Sequence, residues 1–324
     1  MRPLLVRPGA RYTCTGDGAC CSDLHVIAPL ARSEVRRLRL LGAQVVRNEA
    51  LDAFAMAAEG GACRELGAEG CQRYEDRPTV CRRFPFRLVE TPSGLRVATE
   101  QRCPCRTMGE RPPIDPEVAR AALLEHGRLI PDLRVGARIR IEGARWIGFA
   151  RYEREEAAWL ARLAAGESPE VVLGVEPPTL EALTWRDVAH HFRGRIDGSA
   201  CGEALAWFGD ALLALSGDTP RRSRSRPWAF AFDRAEARSA VGDPDAMLAD
   251  WLADALWDLE WTTRGGRVRA FVDFAQRLAV ARWIAARLVA DGARLDRAMG
   301  EAILVVEMAA ASPLWPSVVQ AFRV

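Results

Sequence analysis

The chain has 324 residues, of which 49% are hydrophobic and 27% charged, values typical of a globular protein large enough for two domains. The net charge of +2 gives no general attraction to nucleic acid, and all 45 basic residues are arginine, which excludes a lysine nucleophile. No run of about 18 apolar residues is present, and the apolar run near the N-terminus is too short for a signal peptide. We therefore expect a cytoplasmic protein with neither a membrane nor a nucleic-acid partner.

The first third of the chain predicts a small α+β unit with long loops. The apolar pattern favours a strand over residues 24–30, a helix from Glu34 to about Leu41 and a strand over residues 54–57. Ser33 is in the position of an N-cap for the helix, and Gly42 follows its end.

A β-hairpin is predicted between residues 82 and 100. Two alternating runs, RRFPFRLVE and LRVATE, flank a Pro-Ser-Gly turn, and the second run leads to Cys103-Pro104-Cys105. The stretch from Gly109 to Pro116 predicts a linker. We place a domain boundary there, between residues 1–112 and 113–324.

The second domain is predicted to be mostly α-helical, with seven or eight helices. Asp115-Pro116 and Asp243-Pro244 each combine an N-cap residue with proline at the first helical position. Helical periodicity covers residues 116–126, 152–165, 179–192, 203–215, 244–259, 268–290 and 294–311. The predicted fold class is therefore α+β, with a small, loop-rich, metal-bound N-terminal domain followed by a mostly α-helical C-terminal domain.

Three features of the helical part have two interpretations each. Trp251, Trp257 and Trp261 are interpreted as core residues, with a peptide-binding groove as the alternative. The arginine-rich segment 220–227 is interpreted as a solvated loop, with docking of an acidic partner as the alternative. His190-His191 is interpreted as a surface or core pair, because no nearby cysteine or acidic pair completes a metal site.

Eight of the nine cysteines lie in the first third of the chain, and Cys201 stands alone. The eight candidate metal ligands are Cys14, Cys20, Cys21, Cys63, Cys71, Cys81, Cys103 and Cys105. Clustered thiols in a cytoplasmic protein are typical of metal-binding or catalytic sites, since disulfides are disfavoured there. The sequence therefore predicts a thiolate site for an iron–sulfur cluster, with [4Fe–4S] favoured, or for zinc.

The cysteine spacing departs from the common metal motifs. No C-x2-C pair is present, so neither a zinc knuckle nor a ferredoxin motif is recognisable. Eight thiols exceed the four that zinc or a [4Fe–4S] cluster needs, which leaves either two sites or one site with spare thiols. The adjacent Cys20-Cys21 pair favours different roles for the two thiols, because successive side chains of an extended chain point to opposite faces. Gly16 and Gly18 make the loop before this pair flexible.

Positive charge near the cysteines would offset the charge of about −2 that four thiolates leave on Zn²⁺ or on a [4Fe–4S]²⁺ core. Four arginines are close in sequence to the candidate ligands: Arg77, Arg82, Arg83 and Arg106. Arg82 and Arg83 are also expected to lower the pKa of the Cys81 thiol. The sequence Asp76-Arg77-Pro78 predicts a helix start that places Cys81 in the first turn.

The block from Cys63 to Pro85 resembles one known family. Its pattern, C-R-E-L…G-C-Q-R-Y-E-D-R-P-T-V-C-R-R-F-P, together with the upstream Cys20-Cys21 pair and Cys103, is similar to the YkgJ-type cysteine-cluster family. That family is described as a zinc- or iron-chelating domain and is similar to the cysteine region of flagellin lysine-N-methylases. The resemblance covers residues 12–106. Family members often have C-x2-C before the CC pair, whereas here Cys14 is alone and Cys105 is additional, so the number of ligands stays open.

The resemblance implies seven of the eight cysteines as ligands, all except Cys105. In the methylase branch it also implies an iron–sulfur cluster and S-adenosylmethionine as methyl donor, although no glycine-rich strand–turn–helix motif supports that cofactor. Tyr74 and Arg77 are the neighbouring side chains that could orient a thiolate or substrate, the alternative being packing and a salt bridge.

Three hypotheses follow. The first is a metal-binding protein with an iron–sulfur cluster or zinc, whose helical domain binds a protein or peptide partner. The second is an S-adenosylmethionine-dependent protein lysine methyltransferase. The third is a zinc-stabilised adaptor without catalysis.

Overall fold

A computed structural model describes residues 3–25, 27–49, 51–125, 127–177, 182–194, 199–218, 224–312 and 315. The strands are β1 (Leu4–Val6), β2 (Val45–Asn48), β3 (Ala53–Met56), β4 (Ala58–Glu59), β5 (Ala62–Cys63), β6 (Leu66–Gly67), β7 (Gly70–Cys71), β8 (Phe86–Thr91), β9 (Gly94–Thr99), β10 (Leu124–Glu125), β11 (Arg128–Leu129), β12 (Leu133–Arg134), β13 (Arg138–Glu142) and β14 (Arg145–Gly148). The helices are α1 (Arg32–Leu40), α2 (Thr79–Arg83), α3 (Pro104–Thr107), α4 (Pro116–Leu123), α5 (Phe149–Ala164), α6 (Pro169–Leu173), α7 (Ala182–Arg193), α8 (Ala200–Leu215), α9 (Ala229–Arg238), α10 (Pro244–Trp257), α11 (Arg267–Ala290) and α12 (Leu295–Ala311). Short 3₁₀ turns cover Ala19–Cys21 and Glu260–Thr263. A strand-rich first part followed by helices confirms the α+β prediction.

The predicted hairpin is the centre of a four-stranded sheet with the order β1-β9-β8-β12. β8 and β9 are antiparallel, whereas β1 runs parallel to β9 and β12 parallel to β8. Side chains alternate between the two faces, as the period of a strand requires. Leu88 and Val97 face α4, and Val89 and Ala98 join the helical core.

The helical core is built around α11 and α12, which pack on each other and on α8, and α12 also packs on α10. α12 is buried on nearly its whole circumference, which is typical of a helix enclosed by neighbours. Trp251, Trp257 and Trp261 are all buried, which supports the core interpretation. In the described part of the chain, no helix is both long enough and apolar enough to cross a membrane.

The capping predictions mostly hold. Asp115 accepts a hydrogen bond from the Glu117 N–H, and Asp243 accepts one from Asp245, with proline at the first position of α4 and α10. The prediction for α1 is wrong in detail: its N-cap is Ala31, and Ser33 lies inside the helix.

Some elements differ from the predictions. The described residues of 24–30 form no strand, because Pro29 has no N–H to donate to a ladder; among them, Ile27 and Leu30 bond to β3 through their backbone. The predicted helix 116–126 ends at Leu123, and the prediction missed α6, α9 and the β13–β14 hairpin. Residues 179–181 of the predicted helix 179–192, and residues 220–223 of the arginine-rich segment, lie outside the described residues.

The cysteine-rich segment and the helices meet through a buried ionic network. The guanidinium of Arg7 donates to Asp254 at 2.6 Å, that of Arg106 donates to Asp254 at 2.7 Å, and both contact Asp250. Burial raises the pKa of Asp254, but the charges of Arg106 and Arg7 outweigh it and lower the pKa to about 2. The Trp257 indole N–H also donates to the Val97 carbonyl at 2.9 Å. The domain division at residues 112 and 113 stays a prediction.

Candidate metal centre

Two glycines shape the loop that carries the first cysteines. Gly16 has φ +75° and Gly18 has φ +90°, a region that other residues rarely adopt. A Cβ on Gly18 would meet Leu66 at 3.1 Å and Phe230 at 3.3 Å, so the loop also packs closely there. The chain then turns into the 3₁₀ segment that ends with Cys20 and Cys21.

Three cysteines form what we call the first thiol group: Cys14, Cys103 and Cys105. Cys103 is the N-cap of α3, and Cys105 is its second residue. The three pack in one apolar cluster with Ala19 and with Ala231 of α9. The Cys105 thiol lies 3.1 Å from Asp17 Oδ2 and 3.2 Å from Thr15 Oγ1. Cys105, which looked additional in the sequence, is therefore at the centre of this group.

Four cysteines form what we call the second thiol group: Cys21, Cys63, Cys71 and Cys81. Cys63 and Cys71 end β5 and β7, each in a two-residue antiparallel ladder. Cys81 is the third residue of α2, as the Asp-Arg-Pro sequence predicted. Cys63 and Cys21 pack in an apolar cluster with residues of α1 and β3. Cys20 lies between the groups, its sulfur 4.0 Å from that of Cys21.

A cleft of about 990 Å³ joins the two groups. Seven of the eight cysteines line it, all except Cys63, and every residue of its wall lies between Tyr12 and Asp132. The folding of distant segments thus collects the predicted ligands on one surface. Over the described residues, however, no three His, Cys, Asp or Glu side chains already converge on a common point at metal-bonding distance. Binding would need rotation of the cysteine side chains.

Contacts between the thiols shift the pKa values of the first thiol group. Contact with the Cys105 sulfur, followed by burial, raises the pKa of Cys14 and of Cys103. Those same two contacts lower the pKa of Cys105, because the neighbouring thiols donate hydrogen bonds to its sulfur.

The second thiol group behaves in the same way. Contact with Cys20 raises the pKa of Cys21, and contact with Cys21 raises that of Cys71. Burial raises the pKa of Cys63 and of Cys81. Because thiolates are the ligand form, a metal ion would displace these protons.

Two buried polar atoms test whether a cation fits here. Asp17 is fully buried, its Oδ1 accepts no hydrogen bond, and burial with the neighbouring Cys105 raises its pKa to about 6. Nε2 of His25 also has no partner, and the histidine lines the same cleft. Burial and the charge of Arg102 lower the pKa of His25 to about 3, so it is neutral. The Arg238 guanidinium lies 4.0 Å from Asp17 Oδ1 without a hydrogen bond, so this partly compensated acceptor beside soft thiols fits a metal cation.

The arginines do not all act as predicted. Arg106 pairs with Asp250 and Asp254, and Arg83 with Glu125 and Asp132. Arg82 is exposed and bonds Thr79. The expected lowering of the Cys81 pKa is therefore wrong: burial and nearby thiols raise it.

Arg77 is the arginine that acts on the thiols of both groups. Its charge favours the thiolate forms of Cys14, Cys71 and Cys81. Its guanidinium stacks 3.6 Å from the centre of the Tyr74 ring, and its Nε donates to the Tyr74 carbonyl. The Tyr74 hydroxyl in turn interacts with Cys14.

Sequence reasoning missed Thr15, Asp17 and His25. Thr15 and Asp17 lie between Cys14 and Gly18, so their proximity to a cysteine was a usable signal. The contact with Cys105, however, joins residues 90 positions apart and follows only from the fold. The histidine pair on α7 is exposed, which supports its interpretation as a surface pair.

Residues 13–106 match the family model CxxCxxCC, which is described as "Putative zinc- or iron-chelating domain". This part of the chain, under a third of its length, is similar to the cysteine-cluster family. The match confirms the resemblance seen in the Cys63–Pro85 block, and its range contains all eight cysteines. A zinc- or iron-chelating domain agrees with a site made of thiols. No curated protein and no solved structure matches the chain.

Proposed function

We propose that the cysteine-cluster domain holds an iron–sulfur cluster through its clustered thiols, with zinc as the alternative metal. The observation that carries this proposal is that seven thiols from four separate segments line one cleft. Cysteine thiolates are the ligands of both iron–sulfur clusters and structural zinc. Iron is favoured by the resemblance to the methylase branch.

The cleft indicates how such a centre would be used. Five of the cysteines, Cys14, Cys20, Cys21, Cys71 and Cys81, are partly accessible rather than sealed in the core. A volume of about 990 Å³ is at the upper end of pockets that receive small molecules or peptide segments. We infer that a protein or peptide partner inserts a segment here.

The helical part would then serve as a support rather than as the docking surface. Trp251, Trp257 and Trp261 are buried, and the described residues of α5–α12 do not appear in the wall of the cleft. Instead α9 packs behind Cys103 and Cys105, and α10 holds Arg106. The support keeps α3, with its two cysteines, in position.

Methylation of a protein lysine is the second candidate function. The observation that favours it is the accessible cleft beside the thiols, which could receive a substrate side chain and S-adenosylmethionine. Calorimetry of S-adenosylmethionine with the metal-loaded chain tests this candidate, and absence of binding would remove it.

Anaerobic purification tests the primary proposal. We expect a brown protein with broad absorption near ~400 nm from sulfur-to-iron charge transfer, and with both iron and acid-labile sulfide. A colourless protein with stoichiometric zinc would overturn the iron–sulfur assignment and support a zinc-stabilised adaptor. A protein that binds neither metal would overturn metal binding altogether.

A further inference from the structure

The eight cysteines are divided between two packing environments. Cys14, Cys103 and Cys105 share an apolar cluster with Ala231 of the helical part. Cys21 and Cys63 share a different cluster, with Leu38 of α1 among its members. The two clusters are formed by different helices and strands. The backbone fold therefore separates the two sets of cysteines, and side-chain rotation alone does not explain the separation.

The 3₁₀ turn at Ala19–Cys21 points the two adjacent cysteines in different directions, although their sulfur atoms still lie 4.0 Å apart. A 3₁₀ helix has three residues per turn, so neighbouring side chains are about 120° apart. Cys21 points into the second cluster, where it contacts Cys71. Cys20 instead acts on Cys103 and on Tyr12, which packs in the first cluster.

The electrostatic contacts follow the same division. The two contacts that dominate at Cys105 are with Cys103 and Cys14. The thiols that act on Cys81 are Cys21, Cys63 and Cys71, all of the second thiol group. Among the thiol contacts of the described residues, one crosses the division, and it joins the neighbours Cys20 and Cys21.

We propose that the domain holds two metal centres with four thiolates each. One would be bound by Cys14, Cys20, Cys103 and Cys105, and the other by Cys21, Cys63, Cys71 and Cys81. Four thiolates are the complete ligand set of a structural zinc ion or of a [4Fe–4S] cluster, so no cysteine of the cluster is spare. This inference rests on the proposed function, because it divides the thiols of that same site.

The neighbouring polar groups give the two centres different surroundings. The first has the buried Asp17 carboxylate beside Cys105, with Ala231 of α9 packed behind it. The second is formed within residues 21–81, from short hairpins and α2. Arg77 acts on cysteines of both sets and would offset charge at both centres.

Native mass spectrometry of the purified wild-type chain counts the centres directly. We expect two zinc ions, or two clusters with eight irons in all, on each chain. One zinc ion or one four-iron cluster at saturation would overturn the two-centre proposal and leave metal binding intact. Absence of any metal would instead overturn the proposed function, so the two failures are distinguishable.

Paired substitutions then assign the ligands. Cys14→Ser with Cys105→Ser is expected to halve the metal content, and Cys63→Ser with Cys71→Ser is expected to halve it as well. The matched control is Cys201→Ser, a cysteine of α8 outside both sets, which should keep full content. If either pair removed all metal from a chain with native circular dichroism, or if either left the content unchanged, the division would be wrong.

Discussion

Single polar residues hold the thiols in place and adjust their charge. Asp17 and Thr15 contact the sulfur of Cys105, and Arg77 is placed between the two thiol groups by stacking on Tyr74. The cysteines and Arg77 could be predicted from sequence, because their residue types and spacing carry a recognisable motif. The role of Asp17 could not be predicted, because its carboxylate contacts a cysteine 88 positions away that only the fold brings close.

The first prediction concerns Cys81, which lies on α2 beside three other thiols of its group. Cys81→Ser is expected to lose bound metal and to lower the stability of the N-terminal part, because serine is a poor ligand for a soft metal. Metal analysis and thermal unfolding check this, with Cys201→Ser as the control that does neither. Full metal content in Cys81→Ser would remove Cys81 from the ligand set.

The second prediction concerns Arg77. Arg77→Gln removes the charge that favours three thiolates, so metal affinity should fall by about 10–100-fold, the range for residues that support metal ligands. Competition with a chelator measures the affinity. Arg82→Gln is the matched control, since Arg82 is next to Cys81 in sequence but is exposed and bonds Thr79. Equal losses in the two variants would contradict the assigned role of Arg77.

Among the elements, α10 has two distinct polar functions. Its face toward the sheet carries Asp250 and Asp254, which receive Arg7 and Arg106. Its end carries Asp258, next to Glu260 of the following turn. The helix itself was predictable from Asp243-Pro244 and its apolar spacing. Its ionic partners were not, because they come from residues about 150 to 250 positions earlier.

The third prediction tests the buried network. Asp254→Ala leaves two buried guanidinium groups without their shared acceptor, so the free energy of unfolding should fall by about 3–5 kcal/mol. Urea unfolding followed by tryptophan fluorescence measures it. Asp245→Ala, on the same helix but in a solvent-exposed pair with Arg282, should cost no more than about 1 kcal/mol. A cost for Asp254→Ala as small as that of the control would show that the network does not stabilise the fold.

The fourth prediction concerns Asp258. Burial and the charge of Glu260 raise the pKa of Asp258 to about 8, and Glu307 of α12 adds to this rise. The positive charge of Arg87 opposes it. A carboxyl whose pKa is higher in the folded chain stabilises it below the unfolded pKa of about 4 and loses that contribution as the pH rises to about 8. Wild-type stability should therefore decline over this window, and Asp258→Asn should decline less. Urea midpoints at pH 6 and pH 9 measure this, and parallel declines would refute it.

The whole molecule combines a cysteine-rich part that forms the cleft with a helical part that supports it from behind. The hairpin β8–β9 and most long helices were predictable, because their signals are local: alternation, apolar periodicity and Asp-Pro caps. The strand expected over residues 24–30, the β13–β14 hairpin and the parallel pairings of β1 and β12 were not, because short strands are specified by distant partners. For the same reason, the sequence could not decide between one metal site with spare thiols and two metal sites.

X-ray absorption spectroscopy at the metal edge of the purified chain tests the central claim, a metal centre whose protein ligands are cysteine sulfurs alone. We predict a first shell of sulfur, at about 2.3 Å if the metal is zinc, with no nitrogen or oxygen scatterer needed. A first shell of nitrogen or oxygen, or no retained metal at all, would contradict the account.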